Sequence, residues 1–270
     1  MTGSIRPAQL GDARADAAAR LAQIAGGMAL DLFESRQIGW KSDGSMVTSA
    51  DVEIQDWLEK EINQAFPSDG ILGEEGLEAA LHRLDAHHVW VLDPIDGSNN
   101  FGRGLPGFCV SVGILRGGAA FAGAVYDPMA DQLFTAAAGA GAWCNGRRLR
   151  VEPEALSGRS LFSIRTPWPE GVPSFIEGWM RRHRLRRLGS TALQLCYVAL
   201  GALAFVHDHG ASLWDVAGAA PLVTEAGGML TTPDGDPLFP LDPGRYTGET
   251  LAFLAGNPTA HKEALVSIAA

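Results

Sequence analysis

Apolar residues near the amino terminus recur at helical spacing. Leu10, Ala17, Leu21, Ile24, Met28 and Leu32 fall on one stripe of an alanine-rich segment, which predicts a long amphipathic helix from about Pro7 to Ser35. Gly39 and Gly44 bracket a predicted hairpin. In SADVEIQDWLEKEINQAFP, Ser49 supplies a cap and Val52, Ile54, Trp57, Leu58 and Ile62 an apolar face, so a second helix is predicted to stop before Pro67. GILGEE reads as a short strand. HHVWVLDPIDG is an apolar run rich in β-formers that ends abruptly in Asp, Pro and Gly, the pattern of a buried strand feeding a loop at a sheet edge.

Period-two and continuous apolar runs continue downstream. FCVSVGILRGG and AAFAGAVYDP read as paired strands around a Gly-Gly turn, and QLFTAAAGAGAWCNG as a further pair. From Ser160 onward strands alternate with helices: LFSIR, STALQLCYVALGA, ALAFVHD, WDVAGAAPLVTEAGG and a final strand ETLAFLAG. The pattern predicts an α+β half over residues 1–155 and an α/β half over 156–270, with no repeats and no linker between them.

Composition narrows the class. The 270 residues are 46% hydrophobic and 19% charged, which excludes disorder. A net charge of −10 lacks the basic footprint of a nucleic-acid or anionic-membrane binder. Cys109, Cys144 and Cys196 are odd in number and widely spaced, against both a disulfide framework and a thiolate zinc site, so a reducing cytoplasmic location is expected. The first twenty residues mix acids and bases without an apolar core, so no secretory signal is expected. Gly189 to Val206 carries no charge, but its Ser190, Thr191, Gln194 and glycines mark a buried core segment rather than a membrane span.

The informative chemistry is acidic. Glu74 and Glu75 follow one apolar strand, Asp93 and Asp96 bracket Pro94-Ile95 at the end of another, and Asp215 follows Leu213-Trp214 at a predicted helix start. Read singly, Asp215 is a helix cap and Glu74 a surface acid. Together, five carboxylates beside apolar walls repel one another, and a hard divalent cation such as Mg²⁺ would resolve the conflict. In DPIDGSNNF the two acids precede a glycine and a hydroxyl at a helix start, whose free amides suit phosphate.

These segments resemble the inositol monophosphatase family of metal-dependent, lithium-sensitive phosphatases. GEE at Gly73 to Glu75, DPIDGSNNF at Asp93 to Phe101 and WDVAGAAPLVTEAGG at Trp214 to Gly228 match in order, supported by VTSAD at Val47 to Asp51 and LGSTALQLCYVALG at Leu188 to Gly201. The resemblance implies that Glu74, Asp93 and the carbonyl of Ile95 bind one Mg²⁺, that Asp93, Asp96 and Asp215 bind a second, and that Glu74 with waters holds a weaker third. It implies that Asp51 and Ser98 activate the attacking water, with Ser98 standing where the family commonly has Thr. Read without the motifs, Asp51 is an acid in a helix's first turn and Ser98 a cap. Gly97, Ser98 and Asn99 are expected to cradle the phosphate, and Glu75 and Lys41 to line the same cavity.

The resemblance further implies an αβαβα layered sandwich like the sugar phosphatases, a homodimer, and hydrolysis of a small phosphorylated metabolite. For the alcohol half, Ser190 and Ala192 match the inositol-phosphate branch. Asp208 stands seven positions before Asp215, where that branch commonly has a Glu that reads sugar hydroxyls, and Arg165 and Trp168 depart from its small-residue lining. Inositol 1-phosphate or a related polyol phosphate is the first expectation. Histidinol phosphate is the alternative, its amine paired with Asp208; fructose bisphosphate and 3′-phosphoadenosine phosphate follow, and a non-catalytic descendant comes last. His87, His88, His207 and His209 read as structural or surface residues. The five arginines between Arg181 and Arg187 read as a solvated face or a subunit contact, with phosphate binding as the other reading.

Overall fold

A computed structural model describes residues 8–40, 46–75 and 83–270. Helix α1 (Ala13–Phe33) begins where the Asp12 carboxylate accepts hydrogen bonds from the amides of Arg14 and Ala15. Its buried face is largely alanine, and such short side chains let the helix lie close on the sheet beneath it. Strands β1 (Ile38–Trp40) and β2 (Met46–Thr48) pair antiparallel as the predicted hairpin; Lys41 and Gly44 lie outside the described residues. Helix α2 (Ser49–Ala65) is capped by Thr48, one residue earlier than predicted. The shift follows from Asp51, which sits three residues after Thr48 and accepts from its amide at 2.7 Å and its hydroxyl at 2.6 Å.

Seven strands form the first sheet in chain order: β3 (Gly70–Gly73), β4 (His88–Asp96), β5 (Cys109–Arg116), β6 (Ala119–Asp127), β7 (Gln132–Ala137), β8 (Gly141–Cys144) and β9 (Arg147–Arg148). The first pair is parallel and the others antiparallel. Helix α3 (Ser98–Gly102) follows β4 directly. Every residue of β4 from Val89 to Asp96 is buried, which explains its unbroken apolar run: helices cover both faces of the sheet.

The chain then supplies β10 (Leu161–Ile164), α4 (Ser174–Arg182), β11 (Arg184–Leu185), α5 (Thr191–Ala199), β12 (Phe205–Ala211), α6 (Leu213–Ala217), α7 (Ala220–Glu225), β13 (Met229–Thr231), β14 (Leu251–Gly256) and α8 (Pro258–Ile268). Its five strands run β11-β10-β12-β14-β13 across the second sheet. Helices α1 and α2 cover the outer face of the first sheet, α5, α6 and α7 fill the space between the sheets, and α4 and α8 cover the outer face of the second. The result is the αβαβα sandwich. The uncharged stretch from Gly189 divides between α5, a turn and the start of β12, and no described helix is long and apolar enough to cross a membrane.

WDVAGAAPLVTEAGG folds as two short helices broken at Gly218 and Ala219 rather than one. The break lies flat on the first sheet because glycines meet there. A Cβ on Gly113 of β5 would stand 2.6 Å from the Ala217 carbonyl carbon, and one on Gly123 of β6 would stand 2.7 Å from that of Gly218. Backbone rests on backbone, and this contact carries the start of α6 toward the end of β4.

Candidate active site

Near the end of β4 the pairing with β5 slips by a residue. Asp93 stands opposite Ser111 and Asp96 opposite Cys109, a bulge that re-aims the Asp93-Pro94-Ile95-Asp96 segment. Asp215 arrives from the first turn of α6, where its carboxylate accepts from the Ser212 amide at 2.9 Å. One oxygen from each of Asp93, Asp96 and Asp215 lies within 4.8 Å of the others. Glu74 enters from the end of β3, its amide bonded to the Leu92 carbonyl at 3.1 Å. Glu74, the three aspartates and Ile95 line a cavity of about 240 Å³, with Gly97, Ser98 and Asn99 at its edge.

Burial, followed by Glu74, Asp96, Asp215 and Asp51, pushes the Asp93 carboxyl well above the ordinary carboxylate range. Asp215 is pushed up likewise by burial and then by Asp96. Asp96 rises only to about 6, because the opposing effect of three donors offsets part of the burial. Those donors are Ser190 Oγ at 2.6 Å and the amides of Thr191 and Ala192 at 3.2 and 2.5 Å. An all-oxygen cluster that cannot ionise fully by itself fits a metal cation.

The predicted water-activating pair is in contact. Ser98 Oγ lies 3.3 Å from Asp51 Oδ1 and 2.9 Å from the Ile95 carbonyl, while Thr48 occupies the other oxygen of Asp51. Gly97 holds φ +98° at the start of α3, where a Cβ would meet the Gly107 carbonyl oxygen at 2.8 Å. The first hydrogen bonds into α3 come from Asn100 and Phe101, so the amides of Gly97, Ser98 and Asn99 point off the helix end.

On the alcohol side Arg165 and Asp208 line the cavity, as expected, whereas Ser190 and Ala192 are not in its wall. Ser190 and Ala192 are buried and donate to Asp96; Thr191, between them, donates its amide to Asp96 as well and also lines the cavity. Asp208 is fully buried, accepting from Thr191 Oγ1 at 3.0 Å and the Gly210 amide at 2.9 Å. Arg165 Nη1 lies 3.5 Å from Asp208 Oδ2 and 3.7 Å from Asp215 Oδ2. Trp168 does not line this cavity; it packs on His209 with ring centroids 3.9 Å apart, and on His207 at 6.0 Å. Burial drives His207 down to about 4, so it is a neutral packing residue. The arginine run divides among the end of α4, β11 and the following loop, and only Arg187 of it reaches the cavity. Glu75 is absent from the described wall, and Lys41 lies outside the described residues.

Sequence reading missed Gln55. From α2 its amide accepts from the Glu75 amide at 2.8 Å and donates to the Glu75 carbonyl at 2.5 Å and to Glu59 at 2.9 Å, clamping the strand end that carries Glu74. A signal was present: Gln55 follows Asp51 by one turn, on the same helix face. Asn100 was also missed; it donates at 2.7 Å to the carbonyls of Gly107 and Leu188, tying α3 to the loop before α5.

Residues 12–270 match the model of the inositol monophosphatase family. The chain is 36% identical over 214 residues to an inositol-1-monophosphatase of Mesorhizobium japonicum, covering 75% of this chain and 77% of that protein. It is 35% identical over 210 residues to the Nus factor SuhB of Xylella fastidiosa, covering 74% of each. The structure superposes on the Thermotoga maritima IMPase with a TM-score of 0.83 and 29% identity, over 95% of this chain and 96% of that one. The chain belongs to the inositol monophosphatase family.

Proposed function

We propose that the chain hydrolyses the phosphate monoester of a small polyol or sugar with Mg²⁺, with inositol 1-phosphate as the reference substrate. The observation that carries this reading is the convergence of Asp93, Asp96 and Asp215 in one cavity wall with Gly97, Ser98 and Asn99 at the start of α3. Glu74, Asp93 and the Ile95 carbonyl would hold one Mg²⁺, Asp93, Asp96 and Asp215 a second, and Glu74 a weaker third. Bound there, the ions would neutralise the carboxylates and supply Lewis acidity to the phosphoryl oxygens and to a water. The amides of Gly97, Ser98 and Asn99 receive the phosphate's oxygens. Ser98 orients the attacking water, and Asp51, its orientation held by Thr48, takes up the proton through the Ser98 hydroxyl.

Phosphate release from inositol 1-phosphate with and without Mg²⁺ tests the proposal. A folded, Mg²⁺-replete protein inactive on a broad panel of phosphate esters would identify a non-catalytic descendant instead. Histidinol phosphate is disfavoured by Arg165 and Arg187 in the cavity wall, since its amine would meet like charge. A preference of about a hundredfold for it would reverse that ranking. Inhibition by Li⁺ and assembly as a homodimer also belong to the proposal, checked by rates at sub-saturating Mg²⁺ and by light scattering.

A further inference from the structure

We infer that Tyr246 is a positioning residue for Asp215, holding the start of α6 in register with the strands that carry the other acids and so setting the cation affinity of the cluster. The inference rests on the metal reading above and concerns a residue outside the cavity wall. Helix α6 has five residues, too few to hold its own geometry, so whatever fixes its first turn fixes Asp215. Two successive amides open that turn. The Ser212 amide donates to the Asp215 carboxylate at 2.9 Å, and the Leu213 amide, which has no acceptor within the helix, donates to the Tyr246 hydroxyl at 2.9 Å.

Tyr246 refers this bond to the first sheet. Its ring is buried in one apolar cluster with Leu72 of β3, Val89 and Val91 of β4 and Leu115 of β5. Strand β3 runs into Glu74, and β4 carries Asp93 and Asp96, so the hydroxyl locates α6 relative to the same strands that place the other carboxylates. The segment bearing Tyr246 is itself pinned: the Leu241 amide donates to the Gly118 carbonyl at 2.9 Å, and a single 3₁₀ turn (Pro243–Arg245), opened by Asp242, delivers the ring. The other support of α6 is of a different kind. Backbone resting on Gly113 and Gly123 sets how closely the α6–α7 break approaches the sheet, but a contact without interlocking side chains does not stop it sliding. The hydroxyl bond acts at the opposite end of α6 and is directional. Trp214 meets the Tyr246 ring edge-on at 5.9 Å, so the ring packing survives loss of the hydroxyl and the two contributions are separable.

Tyr246→Phe keeps the ring and removes the acceptor. Mg²⁺ binding to the substrate-free protein, measured by calorimetry, should weaken about three- to tenfold, less than for a direct partner of a ligand because the effect passes through the Leu213 backbone. At saturating Mg²⁺, kcat and substrate KM should stay within about twofold of the unaltered protein. Tyr126→Phe serves as the control: it loses a hydroxyl bond of 2.8 Å to Asp131, away from the cavity wall, and should lower Tm without changing Mg²⁺ affinity. Hydrogen exchange at the Leu213 amide should be slow in the unaltered protein and quicken in Tyr246→Phe. Unchanged Mg²⁺ affinity in Tyr246→Phe, even with a lower Tm, would assign the hydroxyl to stability alone and overturn the inference. An equal weakening in Tyr126→Phe, or fast exchange at Leu213 in the unaltered protein, would overturn it as well. No Mg²⁺ binding by the unaltered protein would instead bring down the metal reading, and the inference with it.

Discussion

Replacing Ser190 with alanine separates two roles for the start of α5. As a reader of the substrate's alcohol, its loss would raise KM and leave the protein's stability nearly unchanged. The structure instead has the hydroxyl donate to Asp96 at 2.6 Å and accept from the Leu193 amide at 3.1 Å as the helix cap. Loss of the cap costs about 1 kcal/mol. Loss of a short hydrogen bond to a largely buried carboxylate costs a further ~1.5–3 kcal/mol. The sum is roughly 3 kcal/mol, a fall of about 5–10 °C in Tm for a chain of this size. Asp96 would also lose the strongest of the three donors that orient it, so the Mg²⁺ concentration for half-maximal activity should rise about 10- to 100-fold. Thermal scans in EDTA and Mg²⁺ titrations of activity measure the two effects separately. Unchanged Tm and Mg²⁺ dependence, with a substrate KM raised about tenfold at saturating Mg²⁺, would refute the positioning role and restore Ser190 to the substrate.

Asp93→Asn is expected to lower turnover more than about a hundredfold, since Asp93 is proposed to bridge two ions; near-normal phosphate release would sink that assignment. In metal-free protein the raised carboxyls of Asp93 and Asp215 make the folded state bind protons more tightly than the unfolded one. Stability should therefore fall as pH rises from the ordinary carboxylate range, through about 6 for Asp96, toward the higher values of its neighbours. Urea denaturation in EDTA across about pH 5 to 8 should show that slope, and Asp93→Asn should flatten it. Asp51→Asn and Ser98→Ala should reduce kcat with little change in the Mg²⁺ dependence; loss of Mg²⁺ binding, followed by calorimetry, would reassign both residues. Gln55→Leu removes the clamp on the Glu74-Glu75 segment and should raise the Mg²⁺ requirement about tenfold while preserving the α2 helix signal in circular dichroism.

Legibility in the sequence followed the range of each interaction. β4 and its two aspartates could be read because the apolar run and the Asp-Pro-Ile-Asp-Gly stop are local, and the order of layers came from family resemblance rather than from periodicity. Hydrophobic pattern says that a face is buried but not against what. Helix α4 was obscured by Arg181 and Arg182 in its last turn, although Ile176 and Trp179 give it a buried stripe. Helix α8 was missed because its buried face is only Ala260, His261 and Ala264, too weakly apolar to stand out. At the site, the acids were visible as sequence motifs, whereas the partners that orient them were not. Whether the amides after Ser190 face a ligand or Asp96, and whether Asp208 faces hydroxyls or Arg165, depends on the approach of distant segments. No spacing rule encodes that.

The glycine contact beneath α6 has a consequence for how this protein can diverge. Substrate preference can drift through Arg165, Thr166 and Arg187, which sit on loops after β10 and β11 and can change size without disturbing a packed layer. The floor under Asp215 has no such latitude. Any side chain at Gly113 or Gly123 would wedge the α6–α7 break off the sheet, and Asp215 would be lifted from Asp93 and Asp96 with it. A lineage altering its specificity should therefore vary its loops while keeping these two side-chain-free positions in mid-sheet, neither of which lines the cavity. A designer transplanting the pocket would have to carry the glycines along as part of it.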